Sequence, residues 1–304
     1  MEADGVRFES ADKEYFRKKI RIMLDKYIQR LGCEYAQLSK RQLYSIKRLE
    51  YVILLCFETI QKQFTDSKFV PMGYEIVFDD ENIGCIEIKL DDGRVLKLTG
   101  KIDRADVYTT EGKNYLRVVD YKTGSKNFNM TDVVTGIDIQ LLVYLSALVE
   151  SGSNNMYGGA FFFPVSDVIV GAKNNMSDED IESKVNSATK MKGIIIDDKE
   201  ILDAFDRVTV NRVGHKTSAE QFEALSAYLK KVIKDLWSDI LKGSIEANPY
   251  KKGTYTPCKY CPYSSVCRIS SGNSGCSYNE IDKLDDKSAW DIIQGGEDNG
   301  DRMD

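Results

Sequence analysis

The chain has 304 residues, of which 42% are hydrophobic and 30% charged, and its formal net charge is −6. That length can bury a sizeable core, as one large domain or as a core with appendages. The longest apolar runs are too short to cross a bilayer, and the first ten residues lack the order of a signal peptide. We therefore expect a soluble, cytoplasmic protein without a membrane partner. The acidic net charge does not indicate a nucleic-acid-binding protein, but it does not exclude DNA as a substrate.

The first predicted segment, residues 1–70, is helical between residues 10 and 65. The stretches "YFRKKIRIMLDKYIQRL" and "RLEYVILLCFETIQKQF" place apolar residues at helical spacing, with Arg and Lys on the other face. Basic side chains of the first stretch could contact a phosphate backbone, but a hydrated helix face is the preferred interpretation. These side chains are Arg17, Lys18, Lys19 and Arg21.

The second predicted segment, residues 71–243, begins with strands. Alternating stretches follow Pro71, and the turn sequences "DDGR" and "TEGK" separate them. They predict an antiparallel meander of about four strands. The stretches are "GYEIVFD", "CIEIKLD", "VLKLTGKIDRADVYT" and "NYLRVVDYKTG".

A crossover helix and a returning strand complete the core. We predict one helix over "TDVVTGIDIQLLVYLSALVESG", capped by Thr131 and ended by Gly152. "YGGAFFFPVSDVIV" predicts a strand covered on both faces. Residues 177–243 are predicted to be mostly helical around the short strand "GIIID", with a long closing helix over 221–243. The fold class is α/β, with a mixed central sheet flanked by helices.

The third predicted segment, residues 244–304, is irregular and rich in cysteine, with an acidic tail and a short helix near Trp290. "PCKYCPYSSVC" contains C-x2-C-x5-C, formed by Cys258, Cys261 and Cys267. A disulfide framework is not expected without a secretory signal. A fourth thiolate would complete either a zinc site or an iron–sulfur site, and spacing alone does not separate them.

The chain end of the strand "YLRVVDYKTG" carries an acid and a base two positions apart. Strand alternation places Asp120 and Lys122 on one face, and the turn at 111–113 brings Asp103 beside Asp120. Two neighbouring carboxylates need a cation between them, and Mg²⁺ or Mn²⁺ prefers such oxygens. The backbone carbonyl of Tyr121 could add a ligand. Lys122 would orient a water molecule or offset phosphate charge, so the set predicts metal-dependent phosphodiester hydrolysis.

The following helix adds two polar residues to this constellation. Gln140 and Tyr144 are four residues apart and therefore share a helix face. Core packing accounts for the apolar residues of that helix but does not require a glutamine. A Gln and a Tyr at the border of the core suit a site where the scissile strand or the lysine is hydrogen-bonded.

These motifs carry a resemblance to a known family. "GKIDRADVY", "YLRVVDYKTG" and "GIDIQLLVYLSAL" resemble the RecB-type branch of the PD-(D/E)xK nuclease superfamily, whose core is restriction-endonuclease-like. Within it, the chain is most similar to the C-terminal nuclease domain of the B subunits of AddAB-type helicase–nucleases. The resemblance runs from about Pro71 to Cys267, and "GSIEANPY" also fits the family's pattern.

The resemblance implies functional residues and cofactors. It implies a Mg²⁺-dependent DNA exonuclease domain of a helicase–nuclease for double-strand break repair and recombination, with an A subunit as partner. The residues that match the family's catalytic motif are Asp103, Asp120, Lys122, Gln140 and Tyr144. Glu75 resembles an accessory strand acid. For the three cysteines the resemblance favours a [4Fe–4S] cluster, a structural staple, over zinc.

The sequence departs from the family at two positions. The family has a metal-binding His and a fourth cluster cysteine N-terminal to the nuclease core. The sole His here, His215, follows all the motifs in a loop-like stretch, so it is interpreted as a surface residue. We therefore expect a fragment of a longer subunit whose cluster can be incomplete. Candidates for a fourth ligand within this chain are Cys276, Cys33 and Cys56.

Two other functions remain open from the sequence. The chain could be a DNA-binding or scaffolding module with an inactive nuclease site, or a stand-alone CRISPR-associated nuclease of the same superfamily. No G-x-x-x-x-G-K-[ST] motif is found in the sequence, so no motor activity is predicted for these residues.

Overall fold

The computed structural model of the protein describes residues 8–32, 34–124, 126–168, 177–269 and 277–295. The chain divides into two compact units, each built from segments that are not contiguous in sequence. The first unit comprises Met1–Ile86, Thr99–Phe128 and Leu141–Ala219. The second comprises Glu87–Leu98, Asn129–Gln140 and Glu220–Asp304.

Helices and strands have the following bounds. The α-helices are α1 (Lys13–Arg30), α2 (Lys40–Thr65), α3 (Met130–Val134), α4 (Gln140–Glu150), α5 (Asp178–Ala188), α6 (Lys199–Leu202), α7 (Arg207–Arg212), α8 (Ala219–Leu241), α9 (Ser264–Cys267) and α10 (Asp286–Ile293). The strands are β1 (Val70–Phe78), β2 (Ile86–Lys89), β3 (Val95–Leu98), β4 (Gly100–Thr110), β5 (Lys113–Thr123), β6 (Asn155–Val165), β7 (Lys192–Ile196), β8 (His215–Thr217), β9 (Tyr250–Lys251) and β10 (Asn279–Glu280).

Helices α1 and α2 form a hairpin in the first unit, which confirms the predicted helical region. Asp12 caps α1 by accepting a hydrogen bond from the Tyr15 N–H, and Ser39 caps α2 in a capping box with Gln42. The buried stripe of α1 recurs every four residues, so one face of the helix packs on α2. This stripe consists of Phe16, Ile20, Leu24 and Ile28.

The central sheet of the first unit has the strand order β1-β4-β5-β6-β7-β8. The pairs β1/β4, β4/β5 and β6/β7 are antiparallel, whereas β5/β6 and β7/β8 are parallel. The predicted mixed sheet is therefore confirmed. Phe161, Phe162 and Phe163 of β6 are all buried, although neighbouring side chains point to opposite faces. Both faces of the sheet are thus covered at β6, as the apolar run predicts.

The predicted continuous meander is wrong. β1 pairs with β4, whereas β2 and β3 form a separate two-stranded sheet. The predicted strand over residues 95–109 is divided into β3 and β4. A tight turn at residues 90–94, with Gly93 at φ 85°, closes the β2–β3 hairpin on itself. Alternation identifies each strand but not its partner, since both hairpin and sheet satisfy the same period.

The predicted helix over residues 131–152 is divided into α3 and α4. Asn129, rather than Thr131, caps α3, because its side chain accepts a hydrogen bond from the Thr131 N–H at 2.8 Å. Gly136 adopts φ 74° just after the end of α3, a left-handed conformation that ends helices. Consequently Gln140 begins a new helix instead of lying in the middle of an old one.

Residues 177–241 follow the predicted helical pattern, with the strand β8 as an additional element. The short strand at "GIIID" is β7 and the closing helix is α8, which confirms both predictions. His215 does not lie in a loop: it begins β8, is half-buried, and contacts the Phe128 ring at a centroid distance of 5.3 Å. The predicted strand end at 169–170 lies outside the described residues.

Elements of the second unit are joined by polar contacts. The Tyr228 hydroxyl of α8 donates to the Val134 carbonyl of α3 at 2.8 Å, and Lys252 pairs with Asp132 at 2.6 Å.

The predicted short helix near Trp290 is α10. In the part of the chain that the structure describes, no helix is long and apolar enough to cross a membrane.

Candidate active site

The β4–β5 hairpin brings Asp103 and Asp120 together. Arg104 pairs with Val119 at the end of this antiparallel ladder, so Asp103 and Asp120 are the next residues of the two strands. The Tyr121 N–H donates a hydrogen bond to Asp103 Oδ2 at 2.9 Å. Asp103 is half-buried and Asp120 is buried. The predicted proximity of the two acids therefore follows from the strand register.

Lys122 is an ion-pair partner of Asp120. Its Nζ lies 2.7 Å from Asp120 Oδ2. Burial raises the pKa of Asp120 above its usual value, the hydrogen bond and charge of Lys122 oppose that rise, and the Asp103 carboxylate adds to it. A buried carboxyl group beside a second acid is the situation that a divalent cation relieves.

The described acids suit an ion that keeps much of its water shell. Mg²⁺ is commonly held by one or two protein carboxylates, with water and substrate phosphate as its other ligands. Asp103 and Asp120 provide two carboxylates, and Tyr121 lies between Asp120 and Lys122. Among the described residues, no three His, Cys, Asp or Glu side chains converge as a metal site. Two carboxylates are the number that Mg²⁺ commonly takes from a protein, so the chemistry of these donors is compatible with Mg²⁺.

Glu75 lies opposite Asp103 but points to a different partner. Tyr74 pairs with Arg104 and Ile76 with Ile102, so Glu75 is opposite Asp103 in the β1/β4 ladder. Its φ of 53° disturbs the strand, and its exposed carboxylate forms an ion pair with Lys101. The accessory role of Glu75 stays a prediction.

Gln140 and Tyr144 are one turn apart at the beginning of α4. The Tyr144 ring packs edge-on against Phe78, with 5.6 Å between the ring centroids. A Cβ on Gly100 would lie 3.2 Å from Tyr144 and 2.7 Å from Phe78. Tyr144 thus packs at the end of β4 that precedes Asp103. Gln140 is exposed.

Comparison with known proteins identifies the family. The family model described as the PD-(D/E)XK nuclease superfamily matches residues 8–268. The chain belongs to the PD-(D/E)XK nuclease superfamily. The predicted resemblance is thereby confirmed, and the match includes the α1–α2 hairpin as well as the sheet.

Curated relatives of this nuclease-superfamily chain are B subunits of ATP-dependent helicase/deoxyribonucleases. The B subunit from Thermoanaerobacter sp. (strain X514) is 32% identical over 315 residues, which covers 97% of this chain and 27% of the relative. The one from Acetivibrio thermocellus is 33% identical, with 95% and 27% covered. That from Clostridium acetobutylicum is 31% identical, with 97% and 27% covered. The chain thus spans about a quarter of the length of these relatives.

A buried ionic cluster lies on the other face of the β4–β5 hairpin in this PD-(D/E)XK core. Arg104, Asp106 and Arg117 are fully buried. Asp106 Oδ2 lies 2.8 Å from Arg117 Nε and 3.2 Å from Arg104 Nε. Arg104 Nη1 also donates to the Tyr121 hydroxyl at 2.9 Å. The cluster therefore connects to the residue that contacts Asp103.

Aromatic rings surround the two arginines of this cluster. The Arg117 guanidinium lies over the Phe69 ring at 4.6 Å and the Phe205 ring at 5.4 Å, and that of Arg104 lies over Phe64 at 5.1 Å. Sequence reasoning missed this cluster. Its signal was available: charged residues at 104, 106 and 117 interrupt otherwise apolar strands, and Asp106 is opposite Arg117 across the predicted turn.

The cysteine segment of the second unit is ordered by short-range contacts. Thr256 caps a 3₁₀-helix over Pro257–Tyr260, and the Cys261 N–H donates to the Cys258 carbonyl at 3.3 Å. Cys258, Cys261 and Cys267 are half-buried free thiols. Within the described ranges, the His, Cys, Asp and Glu side chains include no group of three that could hold a metal. The iron–sulfur cluster and the zinc site both stay predictions.

The three candidate fourth ligands differ in what the structure describes. Cys276 and Cys33 lie outside the described residues. Cys56 lies in α2, in the first unit, and burial raises its pKa to about 11. Metal ligation requires a thiolate, so this environment disfavours Cys56 as a ligand.

Proposed function

We propose that this chain is a metal-dependent deoxyribonuclease domain of a helicase–nuclease B subunit. The observation that carries the proposal is the proximity of Asp103 to Asp120, whose pKa Asp103 raises, with the Tyr121 N–H donating to Asp103 Oδ2 at 2.9 Å and Lys122 Nζ 2.7 Å from Asp120 Oδ2. Family membership and the deoxyribonuclease named in the relatives support it. The reaction is hydrolysis of a DNA phosphodiester bond.

Asp103, Asp120 and the carbonyl of Tyr121 would hold Mg²⁺ or Mn²⁺. When bound, such an ion supplies a water molecule of lowered pKa and Lewis-acid stabilisation of the phosphate. The hydrogen bond from the Tyr121 N–H holds the Asp103 carboxylate in place. Glu75 would be an accessory acid once released from Lys101.

In this proposal, Lys122 would act on the nucleophile or on the phosphate. Its ammonium carries three donors, and one of them is directed to Asp120 at 2.7 Å. The side chain remains 29% exposed, so a water molecule or a phosphate oxygen could approach it from solvent. Lys122 would orient the attacking water and offset charge that develops on the phosphate.

Gln140 and Tyr144 would orient the scissile strand or the catalytic lysine. Packing of Tyr144 on Phe78 fixes the first turns of α4 close to the start of β4. The two polar groups share one face of the helix because they are four residues apart. In this proposal both residues position the scissile strand or Lys122 and take no part in bond making or breaking.

The larger assembly belongs to the same proposal. It is an exonuclease for double-strand break repair and recombination, in which a helicase–nuclease A subunit is the partner. A [4Fe–4S] cluster on Cys258, Cys261, Cys267 and a fourth cysteine would serve as a structural staple, with zinc as the rival occupant. Support comes from the relatives' names and from the cysteine spacing.

Replacement of Asp120 tests the nuclease proposal. Asp120→Ala removes a carboxylate that would hold the cation and should reduce Mg²⁺-dependent cleavage of linear DNA by at least about a hundredfold. Lys122→Ala should cause a similar loss. Cleavage is followed on end-labelled single-stranded and duplex DNA, with EDTA as the metal-free reference. Circular dichroism shows whether each variant is folded.

Glu179→Gln is the matched control, because it removes an exposed carboxylate on α5. It should cut DNA at the wild-type rate. Full activity of Asp120→Ala would reject the site. A wild-type protein that binds DNA but does not cut it with Mg²⁺ or Mn²⁺ would instead favour the DNA-binding module without nuclease activity.

A further inference from the structure

The α1–α2 hairpin is strongly basic within an acidic chain. Residues 13–65 contain twelve Lys and Arg against five Asp and Glu, a net charge of +7, whereas the whole chain has −6. Some of these cations are neutralised within the hairpin: Lys13 pairs with Glu58 and Arg21 with Glu50. In the described part of the chain, no carboxylate pairs with Lys40, Arg41 or Lys47. These three cations all lie in the first half of α2, so that part of the helix presents positive charge with no carboxylate partner among the described residues.

Two cations and two aromatic rings alternate along one face of α2. Lys40, Tyr44, Lys47 and Tyr51 have the spacing i, i+4, i+7, i+11, which places them in one stripe. We call these four residues the α2 stripe. All four are exposed, including 62% of Tyr44 and 50% of Tyr51. Packing against α1 uses other positions of α2, namely Ile46, Ile53, Leu54 and Phe57.

A third cation lies beside the stripe. The Arg48 guanidinium lies 5.9 Å from the centroid of the Tyr44 ring and forms an ion pair with Asp167. That pairing restrains the arginine next to the ring. The Tyr44 ring is therefore partly ordered before any ligand arrives, which lowers the entropy cost of stacking on it.

Single-stranded DNA matches this surface in charge and in shape. Lysine ammonium groups attract phosphates, and exposed aromatic rings stack on bases that are not paired. The rings of Tyr44 and Tyr51 begin about 10 Å apart along the helix axis, a span that several bases of a single strand can cover. Paired bases are already stacked on each other, so a duplex offers the tyrosines nothing comparable.

We propose that the α2 stripe binds single-stranded DNA, with Tyr44 and Tyr51 stacking on bases and Lys40 and Lys47 contacting phosphates. The proposal rests on the proposed function in that DNA is the substrate. It assigns a second contact surface, on a helical hairpin that carries none of the candidate catalytic residues. Binding there requires neither a metal ion nor cleavage.

Binding is measured by fluorescence anisotropy of a labelled oligothymidylate in EDTA, so that no cleavage occurs. Tyr44→Ala/Tyr51→Ala should weaken binding about tenfold or more, because each stacked base is lost. Lys40→Gln/Lys47→Gln should reduce the slope of log Kd against log salt by about 1.4, or about 0.7 for each phosphate contact. Thermal unfolding of each variant shows that the hairpin is intact.

Conservative and displaced variants are the controls. Tyr44→Phe/Tyr51→Phe keeps both rings and should bind as the wild type does. Lys113→Gln/Lys199→Gln makes the same charge change on other exposed residues and should leave the salt slope unchanged. Wild-type affinity of the double Ala variant overturns the proposal, as does competition by a blunt duplex equal to that of a single strand. Binding is measured without metal and cleavage in a separate assay with Mg²⁺. A protein that binds single-stranded DNA but does not cut it would therefore reject the nuclease function and leave the binding proposal intact.

Discussion

At the scale of single residues, Tyr121 contacts side chains on both faces of the central sheet. Its backbone N–H donates to Asp103 on one side, while its hydroxyl accepts from Arg104 on the other. Its ring packs on Phe163, with 5.4 Å between the centroids. Parity alone indicates that Asp120 and Lys122 share a face. It does not indicate that the residue between them is held by a buried arginine, because that contact depends on side-chain packing.

A second prediction at the residue scale concerns the reactivity of the Cys56 thiol. Burial raises its pKa to about 11, so at pH 8 only about one molecule in a thousand carries the thiolate. Alkylation of Cys56 by iodoacetamide at pH 8 should be at least about a hundredfold slower in the native protein than in the urea-unfolded chain. Mass spectrometry of peptides measures both rates. Equal rates would show that the thiol is accessible and would restore Cys56 as a candidate ligand.

At the scale of secondary-structure elements, Gly100 allows the close approach of α4 to β4. Gly100 begins β4 and pairs with Phe78 of β1, and the Phe78 and Tyr144 rings occupy the space where a side chain would lie. This absence of a Cβ lets α4 approach the strand that carries Asp103. The sequence predicted a strand and a helix that include these residues, but the close approach depends on the pairing of β1 with β4.

Gly100→Ala should therefore disturb this contact. The added Cβ would lie 2.7 Å from the buried Phe78 ring and 3.2 Å from Tyr144, and overpacking of this kind costs about 1–3 kcal/mol. Urea unfolding measures the loss. Gly214→Ala is the matched control, since a Cβ added there would have no atom within 4 Å, and it should change stability little. Similar stability of both variants would contradict the packing argument.

At the scale of the whole molecule, the chain folds as two units that interleave in sequence. The first unit takes three segments and the second takes the segments between and after them. The core of the first unit contains the buried cluster of Arg104, Asp106 and Arg117. Two arginines share one aspartate there, and Asp206 adds a further attractive charge near Arg117. The cluster therefore depends on its acid.

Asp106→Asn should be strongly destabilising. It leaves two buried guanidinium groups without their shared counterion, and loss of one partner of a buried ion pair costs about 3–5 kcal/mol. Replacing all three residues together by Met, Leu and Met should cost much less, because no buried charge remains. The free energy of unfolding from urea titrations compares the two. Equal losses would show that packing, rather than charge, explains the effect.

Local patterns by themselves determined the helices α1 and α2, the strands β4 and β5 and the neighbouring positions of Asp103, Asp120 and Lys122, whereas the resemblance of the motifs indicated the family. These features depend on periodicity and on a short turn, both of which act between residues close in sequence. Tertiary structure alone decided the β1/β4 pairing, the break at Gly136, the place of His215 in a strand and the buried ionic cluster. The reason is physical: these features depend on which distant segments bury one another, and the same local pattern is compatible with several partners.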